Sequence, residues 1–135
     1  MPTTPDIANF DVRFYLKNND QSPVEEYLNE LMTSNLEMAI KATSALISLP
    51  TKIVLGDDIK PMKNNGKTAF WELRVQSGSN ICRFFYVLDR PNVIVFFGFT
   101  KQTQKTDKKD IEQGLRNLES YRDYQNSVSM KDIFG

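Results

Sequence analysis

The strongest constraint on how this chain can fold lies between residues 70 and 99. Three strand-like runs follow one another there almost without pause: Phe70–Gln76 (FWELRVQ), Ile81–Leu88 (ICRFFYVL) and Val93–Phe99 (VIVFFGF). Ser77-Gly78-Ser79-Asn80 separates the first two, and Arg90-Pro91-Asn92 the last two. Links this short suit hairpin turns and leave no room for a parallel crossover, which needs a dozen or more residues. The reading is therefore an antiparallel meander. Its second and third runs are apolar at successive rather than alternate positions, as expected of strands in a sheet covered on both faces.

The flanking segments supply that cover. Phe10, Val12, Phe14 and Leu16 alternate through residues 10–17, the period of a half-buried strand. After a polar turn, Ser22 is placed to cap a helix with Pro23 at its first position and Glu25 completing a capping box. Val24, Leu28 and Leu31 carry the helical spacing, and Thr33-Ser34-Asn35 interrupts it. A second helix is predicted from Leu36 to Leu49, ended by Pro50; its apolar residues exceed one stripe, which predicts deep burial. Residues 51–69 read as a basic, turn-rich loop punctuated by Gly56, Pro61 and Asn64-Asn65-Gly66. Beyond the meander, residues 100–106 lead into a helix over about Asp107–Tyr124, with Thr106 as its cap and Ile111, Leu115 and Leu118 as its stripe. Residues 126–135 show no period and read as a tail. The expected fold is α+β: a four-stranded antiparallel sheet with two N-terminal helices and one C-terminal helix, in the order β-α-α-β-β-β-α. It forms a single domain over residues 1–125 followed by the tail.

Composition narrows the chemistry. A chain of 135 residues, 40% apolar and 25% charged, has the balance of one globular domain. No apolar run approaches the ~18 residues of a membrane span, and the N-terminus lacks the basic start and apolar core of a secretory signal. Cys82 is the single cysteine and there is no histidine. Internal disulfides, zinc fingers and Cys-His or Ser-His catalysis are thereby excluded, and a cytoplasmic protein without metal or cofactor is expected. Net charge is zero, yet unevenly spread. Residues 1–51 carry 3 Lys/Arg against 7 Asp/Glu, residues 52–105 carry 9 against 4, and residues 106–135 carry 5 against 6. The basic middle is where a phosphate would meet a positive field; the plainer alternative is a set of solubilising loop lysines.

Two arginines stand out within that middle. Strand alternation puts Glu72, Arg74 and Gln76 on one face and Trp71, Leu73 and Val75 on the other. Arg83 sits in a run that is apolar on both sides, where a guanidinium must either be paired or face a groove. Neighbouring strands can bring Arg74 and Arg83 together as a phosphate fork, with Lys101 and Lys105 following in the next loop. The structural alternative is a satisfied internal salt bridge between Arg83 and Glu72. Phe84, Phe85, Tyr86, Phe96, Phe97, Trp71 and Cys82 read first as core.

These same residues carry a family resemblance. WELRV (71–75), ICRFFYVL (81–88), VIVFFGFTKQTQKT (93–106) and the helix opening DKKDIEQ (107–113) resemble the phage-derived branch of the RelE/HigB toxin family. The resemblance implies the toxin of a type II toxin–antitoxin system, a metal-independent, ribosome-dependent mRNA endoribonuclease. It also implies two partners: mRNA on the ribosome, and an antitoxin of helix-turn-helix type. On that analogy Arg74, Arg83, Lys101 and Lys105 belong to the active face. The arginines would stabilise charge on the phosphorane as the 2′-OH attacks its neighbouring phosphate, leaving a 2′,3′-cyclic phosphate and a 5′-OH. Lys101 or Lys105, its pKa lowered by neighbouring cations, would act as base, with Tyr86, Tyr121 or Tyr124 in reserve. Phe97-Gly98-Phe99 stands where many relatives have His-Gly-Phe, and Lys101-Gln102 where they have paired lysines. Two rivals follow: a non-catalytic phage or mobile-element protein that keeps the antitoxin-docking surface, and a gyrase-directed toxin like those of the ParE branch.

Overall fold

A computed structural model describes residues 9–18, 20–51, 58–64, 66–101 and 106–134. Its elements are β1 (Asp11–Tyr15), α1 (Pro23–Ser34), α2 (Leu36–Ile47), β2 (Ile59–Asn64), β3 (Lys67–Ser77), β4 (Asn80–Asp89), β5 (Asn92–Lys101), α3 (Lys108–Tyr124), β6 (Ser127–Ser129) and α4 (Met130–Phe134). The α+β class stands, and the meander β3-β4-β5 is antiparallel as its short links require.

The four-stranded antiparallel sheet does not stand. Among the described residues the sheet has six strands in the order β2-β3-β4-β5-β1-β6, and it is mixed because β1 runs parallel to β5. Three physical facts account for the difference. The long, helix-bearing connection between β1 and β5 permits a parallel pairing, and the alternation of Phe10 to Leu16 carries no information about direction. Residues 59–64 lie in the segment read as loop from its basic, turn-rich character and its Gly56, Pro61 and Asn64-Asn65-Gly66; they form an edge strand, where the missing N–H of Pro61 is tolerated. Residues 127–129, read as tail, pair antiparallel with β1. Arg13 secures them, donating from Nε to the Ser127 hydroxyl at 2.7 Å and from Nη2 to the Ser127 carbonyl at 3.1 Å. Ser129 Oγ donates to Asp11 at 2.7 Å.

Helices lie on both faces. The Ser22 hydroxyl accepts from the Glu25 amide at 3.0 Å with Pro23 at the first position, and α1 begins as its sequence predicts. Val24, Leu28 and Leu31 of α1 join Met38, Ala42 and Leu46 of α2 and Phe14, Leu73, Phe84 and Tyr86 of the sheet in one core. The other face packs Phe70, Phe85, Ile94 and Phe96 under Leu118 and Tyr121 of α3. In β4, therefore, Cys82, Phe84 and Tyr86 point to the α1–α2 side, whereas Phe85 and Val87 point to α3. A bulge in β5, between the pairs Phe85↔Phe97 and Tyr86↔Val95, sends both Phe96 and Phe97 to the α3 side. Two burial expectations change. Helix α2 is not buried all round, since Leu36, Ile40 and Ile47 are more than half exposed. Trp71, read as core, is 37% exposed beside the edge strand.

Candidate functional site

The register of the meander sets Arg74 directly opposite Arg83, and Arg83 opposite Phe99. The two arginines share the α3 face with Glu72, two residues before Arg74 on β3. Glu72 ties them together. Its Oε1 accepts from Arg74 Nε at 2.7 Å and from Arg83 Nη1 at 3.4 Å. Its Oε2 accepts from the Thr106 hydroxyl at 2.7 Å, and that same hydroxyl oxygen accepts from Arg83 Nη1 at 2.7 Å. One carboxylate thus links β3, β4 and the residue just before the N-cap of α3.

Burial separates the roles of the two arginines. Arg83 and Glu72 are both 0% exposed, while a quarter of the Arg74 side chain reaches solvent. The internal Arg83–Glu72 pair weighed from sequence is present, and Arg83, expected to face a phosphate, is closed off from solvent. Arg74 is the guanidinium that an external ligand can reach.

Thr106 corrects another expectation. It does not cap α3; Asp107 occupies the N-cap position and makes no side-chain capping bond. Thr106 instead serves the arginine cluster, which spacing from α3 alone does not reveal.

Lys101 lies at the end of β5, its ammonium bonded to Asp107 and to Asp110 at 3.1 Å. The Asp107 hydrogen bond, followed by that to Asp110, holds its pKa above the ordinary lysine value. This is the reverse of the lowering expected for a lysine base, because the acids opening α3 hydrogen-bond its ammonium. Lys105 falls in residues 102–105, outside the described residues.

The tyrosines are dispersed. Tyr86 is buried on the α1–α2 side of the sheet, opposite to the arginine face, and burial followed by the Asp58 charge raises its pKa. Tyr121 donates to Asp89 at 2.6 Å near the far end of β4, and burial raises its pKa as well. Tyr124 is 73% exposed on the last turn of α3. Arg74, Arg83 and, through the start of α3, Lys101 are thus brought to one end of the sheet, and Tyr86, Tyr121 and Tyr124 do not join them. Among the described residues no cluster of histidine, cysteine or carboxylate side chains suits a metal ion, and no helix is long and apolar enough to cross a membrane.

What the cluster can do chemically follows from these contacts. It presents one guanidinium, Arg74, bonded to the buried Glu72, and among the described residues the cluster contains no lysine of lowered pKa and no phenol. Glu72 is the member that sequence reading treated only as a partner for Arg83. Its spacing from Arg74, two residues along one strand face, was the available signal. Comparison with known families matches the chain to the model described as Phage derived protein Gp49-like (DUF891) over residues 36–119, which is 84 of 135 residues. No curated protein matches the chain.

Proposed function

The chain belongs to the Gp49-like family of phage-derived proteins, and from that premise we propose that it is the toxin of a toxin–antitoxin pair and acts as a ribosome-dependent mRNA endoribonuclease. Family membership supports the toxin theme, since the family is one of RelE/HigB-like toxins. The observation that carries the nuclease reading is the convergence of Arg74 Nε and Arg83 Nη1 on a single carboxylate oxygen. Guanidinium groups that gather on one oxyanion supply the polarity that an RNA phosphate needs. In this reading Arg74 contacts the scissile phosphate and stabilises the charge that grows on it during 2′-OH attack. Arg83 supports Arg74 from beneath, and the ribosome supplies the substrate geometry. An antitoxin is the partner that keeps the protein silent.

The second reading, a non-catalytic protein with the same fold, is favoured by the full burial of Arg83 and the raised pKa of Lys101. Inducing the wild type and Arg74→Ala in cells, and mapping mRNA 5′ ends, separates the two. Growth arrest with new 5′-OH ends at translated codons in the wild type, both lost in Arg74→Ala, is the expected outcome. A well-expressed wild type that leaves messages intact rejects the nuclease. Growth arrest with uncut messages and broken DNA redirects attention to a gyrase target. Arg74→Ala is preferred to a change at Arg83, whose fully buried side chain would leave a hole in the interior when lost.

A further inference from the structure

The buried end of the arginine cluster has a role that neither family membership nor the two guanidinium groups specify. Glu72 is 0% exposed, so it cannot meet substrate where it stands. Its two oxygens are nonetheless divided between two tasks. Oε1 holds Arg74 by Nε at 2.7 Å, the guanidinium nitrogen closest to the backbone, which fixes the direction in which the terminal nitrogens extend. Oε2 receives the Thr106 hydroxyl at 2.7 Å, and Thr106 immediately precedes the N-cap of α3. Charge points the same way. One carboxylate faces two guanidinium groups, so the three groups sum to one positive charge, and Arg74 is the member of the three that reaches solvent.

We infer that Glu72 is a positioning residue that aims Arg74 outward, and that Thr106 makes this aim depend on where α3 begins. The inference rests on the reading that Arg74 meets an RNA phosphate. A carboxylate on Nε restricts the guanidinium plane, and a phosphate fork works only in a restricted plane. Thr106 couples that plane to α3, whose first turn also binds Lys101 through Asp107 and Asp110. A shift of the helix start would therefore be felt at Arg74 through Thr106 and Glu72.

The direct variant, Glu72→Gln, leaves Arg83 buried without a counter-charge and risks unfolding, so Thr106→Val and Thr106→Ser are tested beside it. Two measurements are made on the full chain: the arginine Nε–H resonances in ¹⁵N-labelled protein, and single-turnover cleavage of message on programmed ribosomes. Thr106→Val is expected to melt close to the wild type, to shift or broaden the Arg74 Nε–H signal, and to lower the cleavage rate constant about tenfold to a hundredfold at unchanged ribosome affinity. Thr106→Ser, which keeps the hydroxyl, should restore both signal and rate. An active wild type whose rate is unchanged by Thr106→Val, or changed only as far as melting explains, overturns the positioning role and leaves the nuclease intact. A wild type that cleaves nothing overturns the nuclease reading and the positioning role with it, whatever the resonances do.

Discussion

At the scale of single residues the molecule is governed by what burial does to charge. Glu72 and Arg83 are held inside by each other, with Arg74 also bonded to Glu72 and the Thr106 hydroxyl bonded to both members of the pair. Arg83→Met is predicted to cost about 1–3 kcal/mol in urea denaturation, since it takes one of two guanidinium partners from a buried carboxylate that Arg74 still holds. The double change Glu72→Leu with Arg83→Met should cost less than the two single changes added together. Strict additivity would mean that the pair is not the connection described here. The phenols follow the same rule. Burial is the first cause that raises the pKa values of Tyr27, Tyr86 and Tyr121; the Cys82 hydrogen bond adds to it at Tyr27, the Asp58 charge at Tyr86 and the Asp89 hydrogen bond at Tyr121. A raised pKa means that the folded state keeps its proton when the unfolded chain has lost it. The resulting stability is whole below the unfolded value of about 10 and declines as pH rises above it. In an alkaline titration followed by phenolate absorbance, these three of the five tyrosines should ionise together with unfolding, not before it. Smooth ionisation while the fold persists would contradict this.

At the scale of elements, packing overrides local preference. Helix α3 holds Gly114 in its interior, where alanine is ordinarily better by about 1 kcal/mol. A β-carbon there would lie 2.5 Å from the Phe85 ring, which is itself enclosed by Phe70, Phe96, Phe97 and Phe99. Crowding a packed core costs about 1–3 kcal/mol, so Gly114→Ala should lower the unfolding midpoint despite its better helix propensity. A raised midpoint would show that Phe85 can yield. Helix α2 shows the opposite tension. Its apolar residues exceed the face that the sheet can cover, and Leu36, Ile40 and Ile47 remain outside although their chemistry suits a core.

At the scale of the whole molecule, the C-terminal residues complete the sheet. Met130 is 5% exposed within the α1–α2 core, and Phe134 stacks edge-on against Phe14 with ring centres 6.3 Å apart. Ending the chain after Gln125 should therefore destabilise it by about 2 kcal/mol or more, the worth of burying a side chain like methionine, as read by denaturant titration. No change in midpoint would mean that β6 and α4 are ornaments to the fold. The three meander strands, the Ser22 and Pro23 helix start and the apolar stripes of α1 and α3 were legible in the sequence alone. Each depends on neighbours within a few residues, through turn length, capping or periodicity. The proximity of Arg74 to Arg83 was legible for the same reason, because a short hairpin joins their strands. The parallel seat of β1, the edge strand across Pro61, the docking of Ser127–Ser129 and the bond of Thr106 to Glu72 were not. They join residues far apart in the chain, and periodicity tells a strand which face to bury without telling it which strand lies alongside. Whether Arg83 faces a groove or an acid was likewise decided in three dimensions. The pattern that demands a partner for a buried guanidinium is local, and the partners that answer it come from β3 and the threshold of α3.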